Sequence, residues 1–127
     1  YGNIIDIFAA EKTLKKQIGT IITDSLSLEE PKDPETCTVY KLYTLVASPQ
    51  EAEQLAMKYR AGGFGYGHAK NELLAKILER FNEERKLFDF YMKNPQELED
   101  KLQDGARKAA ETANAVMSRL KSALGYI

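Results

Sequence analysis

The residues with the clearest chemical potential lie in one stretch, Arg60-Ala61-Gly62-Gly63-Phe64-Gly65-Tyr66-Gly67-His68-Ala69-Lys70, which holds four of the eight glycines and the only histidine. A glycine-rich loop beside cations can cradle phosphate through its backbone N–H groups, and Gly62 and Gly67 have the spacing of a Walker loop. The pattern then breaks, because His68 and Ala69 stand where a lysine must reach the phosphates and a hydroxyl must reach magnesium. A dinucleotide fingerprint fails too, since the preceding stretch has the period of a helix and not of a strand. What remains is a helix C-cap joined by a tight aromatic turn to a helix N-terminus. Arg60 and Lys70 flank it and could hold one phosphate of a larger nucleic acid.

Other groups are weaker chemically. His68 has no second histidine, cysteine or activated serine at a suggestive spacing, so it reads as an exposed first-turn residue rather than a general base. Asp24, Glu29, Glu30, Asp33 and Glu35 lack the alternating acids and central glycine of a calcium loop and read as a solvated loop. Lys12, Lys15 and Lys16, with Arg107 and Lys108, could touch a sugar-phosphate backbone. Tyr40, Tyr43, Tyr59 and Tyr66 could stack on bases, the plainer reading being solvated helix faces and core aromatics. Cys37 stands alone and reads as a reduced structural thiol.

These residues must be positioned by helices. Leu14, Ile18, Ile21 and Ile22 predict an amphipathic helix from Glu11 to Thr23, preceded by a short apolar run without a clear period. Residues 24–36 are loop, with Asp33 and Pro34 suited to a helix start. In 37–47 the β-branched and aromatic residues favour a strand, yet the apolar positions 39, 42, 43 and 46 have helical spacing, and helix is predicted. Ser48-Pro49-Gln50-Glu51 and Asn94-Pro95-Gln96-Glu97 each predict a capped helix start closed by the glutamate. Gly62 is the natural C-cap of the first. A single helix of about 40 Å is predicted over 67–93, with Glu83 to Lys86 as a charged belt. A last helix from Pro95 to Leu124 is predicted to bury Leu98, Leu102, Ala106, Ala109, Ala113, Val116, Leu120 and Leu124. The class is all-α, a bundle of four to five helices.

A length of 127 residues fits one domain, and 43% apolar with 29% charged residues is ordinary for a globular protein. No apolar run approaches the ~20 residues that span a bilayer, so no membrane association is expected. A net charge of −1 confines any nucleic-acid contact to a local patch. The chain opens at Tyr1 without a methionine or a signal-peptide pattern and reads as a cut end.

Taken in order, the segments resemble tryptophanyl-tRNA synthetases. Tyr1-Gly2-Asn3 followed by Asp6 is similar to the residues just after that family's KMSKS signature. The likeness continues through Leu14-Lys15-Lys16-Gln17-Ile18, Thr23-Asp24-Ser25, the Asp33-Pro34 turn before Val39-Tyr40-Lys41-Leu42-Tyr43, and the Tyr59–Gly67 corner. It runs on through Lys70, Asp104-Gly105-Ala106 with Ala109, and the closing Ala123-Leu124-Gly125. The resemblance implies a class I synthetase C-terminal anticodon-binding domain at 11–127, with 1–10 as the linker from the KMSKS loop of a Rossmann domain that would precede Tyr1. The parent enzyme would use ATP and Mg2+ to activate tryptophan and ligate it to its tRNA. This part would carry no catalytic residue and bind no cofactor or metal. Its implied partners are the tRNA for tryptophan, its own catalytic domain and a second copy in a homodimer, in the cytoplasm. Tyr1, Gly2 and Asn3 would flank the ATP-handling loop. Lys15, Lys16, Arg60, Lys70, Arg107 and Lys108 are the candidate tRNA contacts, on charge alone. The alternative is a helical protein-interaction module without an enzymatic role, whose last two helices dock a partner through their apolar stripes.

Overall fold

A computed structural model describes residues 2–126. Among these there is no strand, and six α-helices follow in order: α1 (Glu11–Gly19), α2 (Thr38–Thr44), α3 (Pro49–Ala61), α4 (Tyr66–Arg80), α5 (Asn82–Lys93) and α6 (Pro95–Ala123), with a 3-10 turn at Pro34–Thr36. The chain divides into two units, Tyr1–Arg85 and Lys86–Ile127.

In the first unit the apolar stripes meet in one core. Leu14 and Ile18 of α1, Val39, Tyr40 and Tyr43 of α2, Leu55, Ala56 and Tyr59 of α3, and Leu73, Leu74 and Ile77 of α4 are all buried. Residues 39, 40 and 43 point inward together, so the helical spacing of 37–47 prevails over its β-branched content. Helix α3 begins as its sequence predicts: the Ser48 hydroxyl accepts from the Glu51 N–H at 3.4 Å while the Glu51 carboxylate accepts from the Ser48 N–H at 2.8 Å. Two orphan donors of the first turn are thereby satisfied.

Four expectations need correction. Helix α1 stops at Gly19 rather than Thr23; Thr20 closes it through the Gln17 and Lys16 carbonyls, and Ile22 is left exposed. The long helix predicted over 67–93 is two helices, which raises the count to six. Phe81 leaves helical geometry at φ −108° and ψ 18°, and α5 restarts at Asn82, a residue that favours caps over helix interiors. Asn94 does not cap α6, because its side-chain amide turns back to donate to the Phe90 carbonyl at 2.8 Å. Finally, no residue of α6 is buried; Leu102 and Leu120 are at least half exposed, contrary to the buried side predicted for them.

Candidate nucleic-acid interface

The glycine corner is built around close backbone approach. Gly62 ends α3 with φ +77°, and a Cβ placed there would lie 2.4 Å from the Glu29 carbonyl oxygen. Only glycine combines that conformation with that contact. The loop pressed against it is held by Lys32, which the sequence leaves unremarked as one more charge in a polar segment. Lys32 is only 3% exposed. Its ammonium donates to the carbonyls of Ser27 at 2.7 Å and Glu30 at 2.8 Å and lies 5.5 Å from the Tyr66 ring centroid. Its backbone N–H donates to the Tyr59 carbonyl at 2.7 Å, near the end of α3. Loop, helix end and corner are thus one assembly, and a buried cation is tolerable because carbonyl dipoles solvate it.

The acidic residues of this region serve the same loop. Asp24 accepts from the Leu26 N–H and also takes the Tyr66 hydroxyl, whose titration is pushed up by burial and then by that bond. Glu30 accepts from Ser27, which holds its carboxyl below the usual range, and Asp33 caps the 3-10 turn through the Glu35 N–H. Among the described residues no group of three His, Cys, Asp or Glu side chains could hold a metal ion.

Of the predicted cations, Lys15 and Lys70 come together. Both line a cleft of about 320 Å³ between α1 and α4, with Ile18, Gly19, Gly67 and Asn71. The Lys70 ammonium donates to the Gly19 carbonyl at 2.8 Å, where the negative end of the α1 dipole favours a cation. Lys16 is exposed in the last turn of α1. Arg60 pairs with Glu53 at 3.3 Å, away from that cleft's lining. Arg107 and Lys108 lie in the other unit and share Asp104, whose carboxyl Lys108 and then Arg107 hold below its usual range. Gly2 and Asn3 are exposed and line a second cleft with Ile4, Ile21, Ile22 and Leu42; Tyr1 lies outside the described residues.

The tyrosines divide. Tyr40, Tyr43 and Tyr59 are each less than a tenth exposed, so base stacking on them is excluded. The Tyr59 ring sits among Tyr40, Phe64 and Tyr66, and its hydroxyl meets the Cys37 sulfur at 3.4 Å, which accounts for the lone cysteine as a buried partner. His68 is exposed in the first turn of α4, its ring 5.8 Å from that of Phe64.

No protein-family model matches the chain. It is 40% identical over 125 residues, 98% of its length, to the tryptophan–tRNA ligase of Campylobacter jejuni, of which it covers 39%. Over all 127 residues it is 40% identical to the tryptophan–tRNA ligase of Fusobacterium nucleatum, again covering 39% of that protein. A crystal structure of tryptophanyl-tRNA synthetase from Campylobacter jejuni matches with a TM-score of 0.91 at 40% identity, over 98% of this chain and 40% of that one. A second structure of that synthetase, complexed with ADP and tryptophan, matches equally well. The chain spans about two-fifths of the length of these curated relatives. Along nearly all of its own length it is homologous to a part of the tryptophan–tRNA ligases.

Proposed function

We propose that this chain is the C-terminal, anticodon-binding part of a tryptophan–tRNA ligase, a class I aminoacyl-tRNA synthetase that activates tryptophan with ATP and transfers it to its tRNA. The observation that carries the reading is homology sustained over 98% of the chain at 40% identity, with the backbone agreeing at a TM-score of 0.91. In this reading 11–127 is the helical tRNA-binding domain and 1–10 the linker from a catalytic domain, with Tyr1, Gly2 and Asn3 flanking its ATP loop. The working partners are the tRNA, the catalytic domain and a second ligase copy, in the cytoplasm. In the same reading Mg2+ would belong with ATP on the catalytic domain.

The chain's own contribution is binding and orientation. Lys15 and Lys70, which both line the α1–α4 cleft, offer the best seat for a backbone phosphate, while Lys16 lies on α1 outside that lining. Arg60, Arg107 and Lys108 can exchange a carboxylate for a phosphate at little cost, because exposed ion pairs contribute at most about 1 kcal/mol. Specificity for the anticodon then falls to hydrogen bonds with unstacked base edges, which need no strongly basic surface.

Competition in a mobility-shift titration tests this. The tRNA for tryptophan is expected to displace a bound probe better than the same tRNA with an altered anticodon; equal displacement refutes anticodon recognition and favours an interaction module. Lys15→Ala with Lys70→Ala is expected to weaken binding to both tRNAs alike and to reduce the salt slope by about two. Joined to the catalytic domain the chain is expected to support aminoacylation, and alone to show no tryptophan-dependent pyrophosphate exchange.

A further inference from the structure

Residues 2–10 form no helix, yet part of this stretch is tied down by side chains from two helices, the adjacent α1 and the distant α5. Ile5 and Ile7 pack against the core. Between them the Asp6 N–H donates to Oε1 of Gln17 on α1 at 3.0 Å, and the Ile7 carbonyl accepts from the guanidinium of Arg85 on α5. The strand of chain then folds on itself, with the Phe8 N–H donating to the Asp6 carboxylate at 2.9 Å and the Ala9 N–H to the Asp6 carbonyl at 3.1 Å. The ties end there: Ile4 is 71% exposed, and Gly2 and Asn3 are exposed as well.

We propose that Gln17 and Arg85 are positioning residues that fix the direction in which residues 2–4 leave the helical unit, and so hold the ATP-handling loop in register for adenylate formation. This rests on the function proposed above, which sets Gly2 and Asn3 beside that loop. The two bonds differ from core packing in kind. Each joins a half-buried polar side chain to the backbone of an irregular segment, and neither residue belongs to the cluster of Leu14, Ile18, Tyr59 and Leu73 that holds the unit together. Losing either bond frees the segment while leaving the core intact. Their placement also explains why a loop-like segment needs two anchors: one on its N–H side and one on its carbonyl side restrict both rotation and withdrawal. The guanidinium bond is charge-assisted and is the stronger of the two. Displacing a reactant's contacts by about 1 Å can cost about a hundredfold in rate, so a loose anchor at this point would be felt at the ATP site.

Two measurements decide it. In the 127-residue chain, Arg85→Met and Gln17→Leu are each expected to speed amide exchange at Asp6 and Ala9 by about tenfold, with the amides of Tyr59 and Leu73 unchanged and Arg85→Lys close to wild type. Unchanged exchange at Asp6 and Ala9 overturns the anchor, and equal acceleration in the core reduces it to general stability. In the joined ligase, pyrophosphate exchange is expected to show the KM for ATP raised by about tenfold in Arg85→Met and Gln17→Leu, the KM for tryptophan within about twofold of wild type, and Arg85→Lys restoring most of the loss. A freed segment with an unmoved KM for ATP overturns the positioning role. A wild-type joined protein that makes no adenylate at all instead overturns the functional reading, while the amide exchange still decides whether the anchor exists.

Discussion

Replacing Gly62 by alanine tests the central claim about the glycine corner, that it is architecture. Two costs add at this position. The backbone sits at φ +77° and ψ 177°, a region essentially reserved for glycine, where a side chain costs about 1–3 kcal/mol. The new Cβ also falls 2.4 Å from the Glu29 carbonyl oxygen, so backbone has to move. That movement is resisted, because the loop is fixed at both ends: Lys32 holds the Ser27 and Glu30 carbonyls, and its own N–H is bonded to Tyr59. Overpacking of this kind typically costs a further 1–3 kcal/mol or so, giving about 2–6 kcal/mol in all. Gly63 is the internal control. It has φ +70° but nothing within 4 Å of an added Cβ, so Gly63→Ala is expected to cost only about 1–2 kcal/mol. The assay is urea unfolding followed by the near-ultraviolet dichroism of the buried tyrosines. A Gly62→Ala variant no less stable than Gly63→Ala would show that the loop yields freely and that the close approach is incidental.

Lys32→Met is expected to destabilise the first unit by about 2–4 kcal/mol in the same assay, since it strands the carbonyls that the ammonium satisfies; a loss under about 1 kcal/mol refutes the buried-cation account. The two helix starts should part company: Ser48→Ala is expected to cost about 1 kcal/mol and Asn94→Ala only a few tenths, because only Ser48 caps, and equal losses by urea titration would contradict the hydrogen bonding described. Glu51 titrates at about 2, held down first by Lys76 at 2.6 Å and then by Ser48. Its folded value lies below its ordinary 4.5, so its stabilisation is fully present above that value and is lost as pH falls through about 2. Thermal midpoints of Glu51→Gln should accordingly fall less steeply than wild type between those pH values, and parallel curves would refute the linkage.

Much of the first unit was legible in the sequence because its signals are local. Periodicity located Leu14, Ile18, Val39 and Tyr43 on inward faces, and Ser48 with Glu51 announced its own hydrogen bonds. The failures share a cause of the opposite kind. Nothing within four residues of Asn94 says that its amide will prefer the Phe90 carbonyl to a capping role, although its sequence copies the Ser48 pattern. The helical period through residue 81, interrupted only later at Glu83 to Lys86, could not reveal that Phe81 would leave helical geometry, and the stripe of α6 was read as buried when it is exposed, since amphipathicity states which face is apolar and not what covers it. Among candidate cations, Lys15 and Lys70 line one cleft, a juxtaposition that charge alone did not indicate. Nor could charge foresee that Arg60, Arg107 and Lys108 would each have a carboxylate at hand.

The two lysines that matter most in the first unit illustrate how the same residue type separates into structure and surface. Lys32 and Lys70 both donate to main-chain carbonyls, yet Lys32 is engulfed by the loop it organises, whereas Lys70 borders an open cleft and uses the Gly19 carbonyl as a single anchor. A cation satisfied by carbonyls on several sides has no direction left in which to meet a phosphate. A cation held by one carbonyl keeps donors for another acceptor. Because α4 begins at the corner that Gly62 and Lys32 fix, the position of Lys70 opposite Lys15 follows from packing at residues that never touch the cleft. The glycine stretch that first looked like a phosphate loop therefore bears on the α1–α4 cleft through the helix it launches rather than through its own N–H groups.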